Sequence, residues 1–193
     1  MEIILATGNP DKVKEIKEIF KDTQIEVKSA KDLGIEDFEV DEDGETLKEN
    51  ALKKAKTLFN KIKKPTFADD TGLFVNSLNL MPGVKSHRYA GENVTYADNR
   101  KKLLDEMKEK DDRSAYFETV ICFIDADGNE RYFQGKVLGE ILREEKGNNG
   151  FGYDSLFKPS ESEKTFAEMT SAEKDKISHR ARAIIKLKEY LLS

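Results

Sequence analysis

The chain has 193 residues, with 33 Lys+Arg against 38 Asp+Glu, for a formal charge of −5. That length suffices for one or two domains with a sizeable core, and 37% hydrophobic with 9% aromatic residues is too apolar for a disordered chain. The acidic balance argues against a non-specific nucleic-acid binder, no apolar run approaches the ~20 residues that span a bilayer, and the single cysteine excludes an internal disulfide or a multi-cysteine zinc site.

The first residues, MEIILA, carry neither a basic leader nor a cleavable apolar segment, so a soluble cytoplasmic protein is expected. Residues 2–6 read as a buried strand ending at Thr7-Gly8-Asn9-Pro10. A helix follows, with Val13, Ile16, Ile19 and Phe20 at helical spacing. A second strand is expected over 25–28. An acid-rich stretch comes next, holding Glu36, Asp37, Glu39, Asp41, Glu42, Asp43, Glu45 and Glu49. Thr46 and Glu49 have capping-box spacing, and Leu47, Ala51, Ala55, Leu58 and Ile62 form one apolar face, which predicts a helix over about 46–63. After Pro65, residues 66–68 read as an interior strand running into Asp69-Asp70-Thr71-Gly72. A loop from Met81 to Gly91 leads to a helix over 96–108 with Thr95 as N-cap. Residues 115–124 and 130–142 are β-rich runs joined by Asp125-Ala126-Asp127-Gly128-Asn129, a strong hairpin signal. The glycine-rich stretch 146–154 reads as loop, and a closing helix is expected over about 178–191. Alternating strands and helices with a central hairpin predict an α/β fold with a mixed sheet.

Four segments have the residue types for chemistry. Thr7-Gly8-Asn9-Pro10-Asp11-Lys12 joins a strand end to a helix start, an arrangement that favours anions, with Lys12 as a mobile positive charge. The plainer reading is a turn with a solvated lysine. Asp69 and Asp70 end an apolar strand. Such carboxylates suit Mg²⁺, one holding the ion while the other polarises a water, although an Asp can equally cap a turn. Asp41 and Glu42 would add ligands if their stretch folds back on this pair. Gly150-Phe151-Gly152-Tyr153-Asp154 would let a flat ring approach an aromatic face, or would place two aromatics in a core beside a turn. Lys174, at i,i+4 to Ser178, and the adjacent His179 and Arg180 offer donors for a carbonyl or phosphate oxygen.

Taken in order, ATGNPDK, ENALKKA, ADDTGL, PGVKSHRYAG, FGYDSLF and TFAEMTSAEKDKISHR resemble the inosine triphosphate pyrophosphatase (XTP/dITP diphosphatase) family over nearly the whole chain. The resemblance implies hydrolysis of ITP, dITP and XTP to the monophosphate and pyrophosphate, dependence on Mg²⁺, and a homodimer. It also implies an elongated fold of two lobes around a long mixed sheet, with the nucleotide in a central cleft. Matched position by position, residues 7–12 would hold the triphosphate through backbone amides and Lys12, and Asn50 and Lys54 would face the phosphates. Asp70 would be the general base and a metal ligand with Asp69, and the further metal position falls on Asp41 or Glu42. Phe151 would stack on the purine, with Gly152, Tyr153 and Asp154 shaping the pocket. Lys174 would approach the nucleotide, and His179 and Arg180 would donate to the O6 of the base. Adenine, with an amino group there, would leave a donor unpaired. Thr71 stands where the family commonly has serine, and Leu80-Met81 replaces a glycine-containing turn. Two alternatives remain: a pyrophosphatase for another modified nucleotide, or a nucleotide-binding module without turnover.

Overall fold

The computed structural model describes residues 1–36 and 38–193; Asp37 lies outside the described residues. The described chain divides into two compact units: Met1–Asp70 with Thr119–Gly135 and Arg180–Ser193, and Thr71–Glu118 with Lys136–His179.

In the first unit, strand β1 (Glu2–Leu5) is buried on both faces, as a parallel interior strand requires. It pairs in parallel with β2 (Glu26–Ser29), and with β3 (Thr66–Val75) through Ile4↔Thr66 and Leu5↔Phe67. Helix α1 (Pro10–Phe20) starts with Pro10 in its first turn and Asn9 as N-cap. Helix α2 (Leu47–Ile62) starts with the expected capping box, Thr46 accepting from the Glu49 amide and Glu49 from the Thr46 amide. Removing that cap with Thr46→Ala should lower stability by about 1 kcal/mol in a urea titration without changing its slope.

Because successive strand residues point to opposite faces, the first unit has two apolar clusters. Ile3, Leu5, Phe67 and Phe123 pack with Ile16 and Phe20 of α1 and with Ile184 and Leu187 of the closing helix α5 (His179–Leu192). Ile4, Ala68, Cys122 and Ile124 pack with Ala51, Ala55 and Leu58 of α2. Burial pushes the Cys122 thiol up to about 12, which makes it an inert core residue.

The second unit carries β4 (Pro82–Gly83), α3 (Tyr96–Glu106), β7 (Phe157–Pro159) and α4 (Ser171–Ile177). Its core gathers Leu73, Leu103, Met107, Phe117, Val137, Phe157 and Phe166. The long strands β5 (Ser114–Ile124) and β6 (Glu130–Ile141) contribute residues to both units. The Asp125 side chain closes their connection by accepting from the Asp127 and Asn129 amides at 3.0 and 2.9 Å. The sheet order is β2-β1-β3-β5-β6-β7, with β4 antiparallel on β3. The fold is therefore α/β around a mixed sheet, as expected. Among the described residues, no helix is long and apolar enough to cross a membrane.

Two expectations need correction. The strand expected over 66–68 does not end at Asp69-Asp70-Thr71-Gly72: β3 runs through all four residues to Val75. Buried polar side chains are tolerated inside a strand when partners meet them, and cations do so here. Gly72 permits the close approach of β4, since a Cβ there would lie 2.7 Å from the Gly83 carbonyl oxygen. Second, Ser178 closes the last turn of α4 and does not open the closing helix, which begins at His179. It adopts an extended conformation that ends α4, its amide donating to the Lys174 carbonyl at 2.8 Å.

Candidate active site

The alternation of β3 decides the site in the first unit. Phe67 and Asp69 share one face, and Ala68 and Asp70 the other. Asp69 is 1% exposed and meets Lys12 of α1 at 3.1 Å and Arg180 of α5 at 3.3 Å. Arg180 also pairs with Glu15. Burial favours the protonated Asp69, but Lys12, Arg180 and then Lys54 outweigh it and hold the carboxyl well below its usual range.

Asp70 meets α2 instead. Its Oδ1 accepts from Lys54 Nζ at 2.9 Å and its Oδ2 from Asn50 Nδ2 at 3.2 Å. The same lysine donates to Glu42 Oε1 at 2.6 Å. Burial, together with repulsion from Glu42, raises the proton affinity of Asp70 despite Lys54. One lysine between two carboxylates leaves a net negative charge, and Asp70 is the better buried of the two. Asn50 completes the arrangement, its Oδ1 accepting from the Gly44 amide at 2.8 Å.

The acidic stretch thus contributes Glu42, while Asp41 is exposed and Asp43 pairs with Lys53. The expected Asp69–Asp70 metal pair is split between opposite faces of the strand. Among the described residues, no group of three or more His, Cys, Asp or Glu is placed to hold a metal. The turn before α1 is closed by its own side chains. Thr7 Oγ1 accepts from the Asn9 amide at 3.2 Å, and Asn9 Oδ1 from the amides of Asp11 and Lys12 at 2.9 and 3.3 Å. Those three amides are thus committed inside the chain by the ordinary logic of an N-cap. Gly8 is required by packing, since a Cβ would lie 2.8 Å from the Phe38 carbonyl oxygen.

The second unit holds the aromatic loop. Gly150 and Gly152 both have positive φ, +73° and +62°, and flank Phe151. The half-buried Phe151 ring lies 5.8 Å from Tyr96. Asp154 Oδ2 accepts from the Phe151 amide at 3.0 Å and from Lys174 at 2.6 Å, and Lys174 Nζ also lies 5.2 Å from the Phe151 ring. Asp154 therefore shapes the loop from below, and Lys174 braces it. Tyr153 is buried and donates to the Ser86 carbonyl at 2.7 Å. Thr71 is half-buried in β3.

His179 and Arg180 do not act as a pair. Neighbouring helical residues point about 100° apart. His179 stacks on Phe117 at 4.5 Å, whereas Arg180 is held by Glu15 and Asp69. Arg180, expected to face a base edge, forms ion pairs with Glu15 and Asp69 in this structure. Glu15 had a legible signal, because a residue three after Lys12 shares its helical face.

The fold and these side chains define a mixed-sheet α/β protein with a buried carboxylate–lysine centre and a glycine-flanked aromatic loop. The chain belongs to the Ham1 family, whose model matches residues 3–190. It is 50% identical over 194 residues to the dITP/XTP pyrophosphatase of Thermoanaerobacter pseudethanolicus (strain ATCC 33223 / 39E), covering 100% of this chain and 97% of that protein. Among solved structures it resembles a HAM1 protein from Coxiella burnetii, with TM-score 0.88, 37% identity, and coverage of 100% of this chain and 98% of that one. The Staphylococcus aureus Ham1 protein gives TM-score 0.86, 39% identity, and coverage of 99% and 98%. The family expected from the sequence motifs is confirmed.

Proposed function

We propose that the protein hydrolyses dITP, ITP and XTP to the nucleoside monophosphate and pyrophosphate, clearing deaminated purines from the nucleotide pool. The Glu42–Lys54–Asp70 arrangement carries this reading. Asp70 is a buried carboxylate held by Asn50 and Lys54, a fixed acceptor of the kind that takes a proton from an attacking water. The full-length similarity to a dITP/XTP pyrophosphatase supports the substrate class.

Glu42 and Asp70 offer hard oxygen donors with one lysine between them, a donor set that fits Mg²⁺, which is usually bound by one or two carboxylates together with substrate phosphates. Held by those two side chains, the ion would neutralise phosphate oxygens and acidify a bound water. Asp70 accepts the proton of the attacking water, and Asn50 orients its carboxylate through Oδ2. Water oxygen bonds to the α-phosphorus as the bridging bond to the β-phosphate breaks, so pyrophosphate leaves in one piece. Lys54 and Lys12 stabilise the negative charge that grows on the phosphate oxygens. Phe151 supplies a stacking face for the purine, a contact worth about 1–3 kcal/mol per base. Homodimerisation is part of the same proposal and rests on the family resemblance alone.

Product analysis tests the reading. With dITP or XTP and Mg²⁺, monophosphate and pyrophosphate should appear in equal amounts, and EDTA should abolish both. Sequential release of orthophosphate, or preference for dTTP or UTP, would overturn it. Nucleotide binding with no turnover would leave only a binding module.

A further inference from the structure

The aromatic loop poses a physical problem. Gly147, Gly150 and Gly152 all have positive φ, so the turns on either side of Phe151 rest on glycines, whose backbone is restricted least, and need contacts to fix them. A stacking ring on a floppy loop would lose much of its contact to ordering entropy. Something outside the loop has to hold it.

We infer that Arg100, on α3, is the positioning residue for Phe151, assisted by Tyr96 one turn earlier; this deepens the pyrophosphatase reading and rests on it. Arg100 Nη1 donates to the Gly152 carbonyl at 2.9 Å, and its Nε forms an ion pair with Glu145 at 3.0 Å that lacks hydrogen-bond geometry. Glu145 in turn accepts from Ser155 Oγ at 2.9 Å. One guanidinium thus ties the residue after Phe151 to a carboxylate that also holds the far end of the loop. A guanidinium can donate from one arm while its delocalised charge faces a carboxylate, whereas a lysine ammonium is a compact point charge. Tyr96 packs its ring against Phe151 from the same helix.

The helix is itself fixed. Asn99, 2% exposed, donates to the His87 carbonyl at 2.9 Å and accepts from the Ala90 amide at 2.8 Å. Leu103 is buried in the core of this unit. Arg100 therefore ties the loop to α3 at Gly152, in addition to the hold that Asp154 and Lys174 have on Phe151.

The test combines kinetics with hydrogen exchange. Arg100→Ala should raise KM for dITP about tenfold while leaving kcat within about twofold, the signature of lost ground-state binding. In a Phe151→Ala background the same substitution should add almost nothing, because the ring it positions is gone. Arg100→Lys should fall between wild type and Arg100→Ala. Amides of residues 146–155 should exchange about tenfold faster in Arg100→Ala, with β3 amides unchanged. Additive KM effects in the double variant, a loss confined to kcat, or unchanged exchange in the loop would each overturn the inference. Failure of the wild-type protein to release pyrophosphate would instead refute the pyrophosphatase reading. The exchange comparison judges Arg100 without substrate and so separates the two failures.

Discussion

Asp70→Asn should reduce kcat for dITP at least about a thousandfold, within the range ascribed to a lost general base, while the variant stays folded. The amide keeps the size of the side chain and an oxygen for Lys54, but it cannot take a proton from water. Stability should hold or rise slightly, and the sign follows from the raised proton affinity of Asp70. A carboxyl that binds its proton more tightly when folded contributes stability below its unfolded pKa. That contribution is lost as pH rises through the folded value. At neutral pH the ionised Asp70 is thus a cost to the fold, incurred beside Glu42 and only partly offset by Lys54. A neutral asparagine removes that cost. Turnover measured with equimolar monophosphate and pyrophosphate as readout, alongside the thermal midpoint, checks both halves. Near-normal kcat would remove Asp70 from the base role.

Much of this arrangement was legible in the sequence because local rules governed it. The capping box at Thr46 and Glu49, the apolar face of α2, and the turn residues 125–129 all specify their own structure. The adjacent carboxylates were readable as a site because acids at the end of an apolar strand need partners. Their separation is not legible when the strand is taken to end at Ala68, because the alternation that parts them belongs to residues beyond it. Once β3 is continued to Val75, period-two geometry places Asp69 with α1 and α5 and Asp70 with α2. The role of Arg180 was obscured for a different reason. Its partner Asp69 lies 111 residues earlier in the chain, and no local pattern announces such a pairing. Asn9 shows the limit of motif reading: a residue type suited to anion-binding turns also caps its own helix, and here its side chain occupies the amides of Asp11 and Lys12. The choice between Asp41 and Glu42 likewise needed three dimensions, since only the reach of Lys54 separates them.

The neighbouring substitution should have the opposite consequence. Asp69→Asn is expected to destabilise the protein by about 3–5 kcal/mol, the usual cost of removing one partner from a buried ion pair. Lys12 and Arg180 both turn to Asp69, and Arg180 is 3% exposed. Without the carboxylate, Glu15 remains as a partner for Arg180, but Lys12 loses the charge that opposes its burial. Such a loss is a large share of the ~5–15 kcal/mol that holds a typical domain together. Here the linkage sign is reversed, because the folded protein depresses the Asp69 pKa. Its contribution is present above the unfolded carboxylate range, near pH 4, and is lost as pH falls towards the folded value. The stability gap between wild type and Asp69→Asn should therefore be full at pH 7 and narrower at pH 3, in denaturant titrations at both. Glu15→Gln, which leaves Asp69 in place, should cost less than Asp69→Asn. If Asp69→Asn proved as stable as Asp70→Asn, the division of labour between the two faces of β3 would be wrong. Two carboxylates one residue apart then differ because a strand turns one towards the cations that hold the fold and the other towards a proton it is poised to accept.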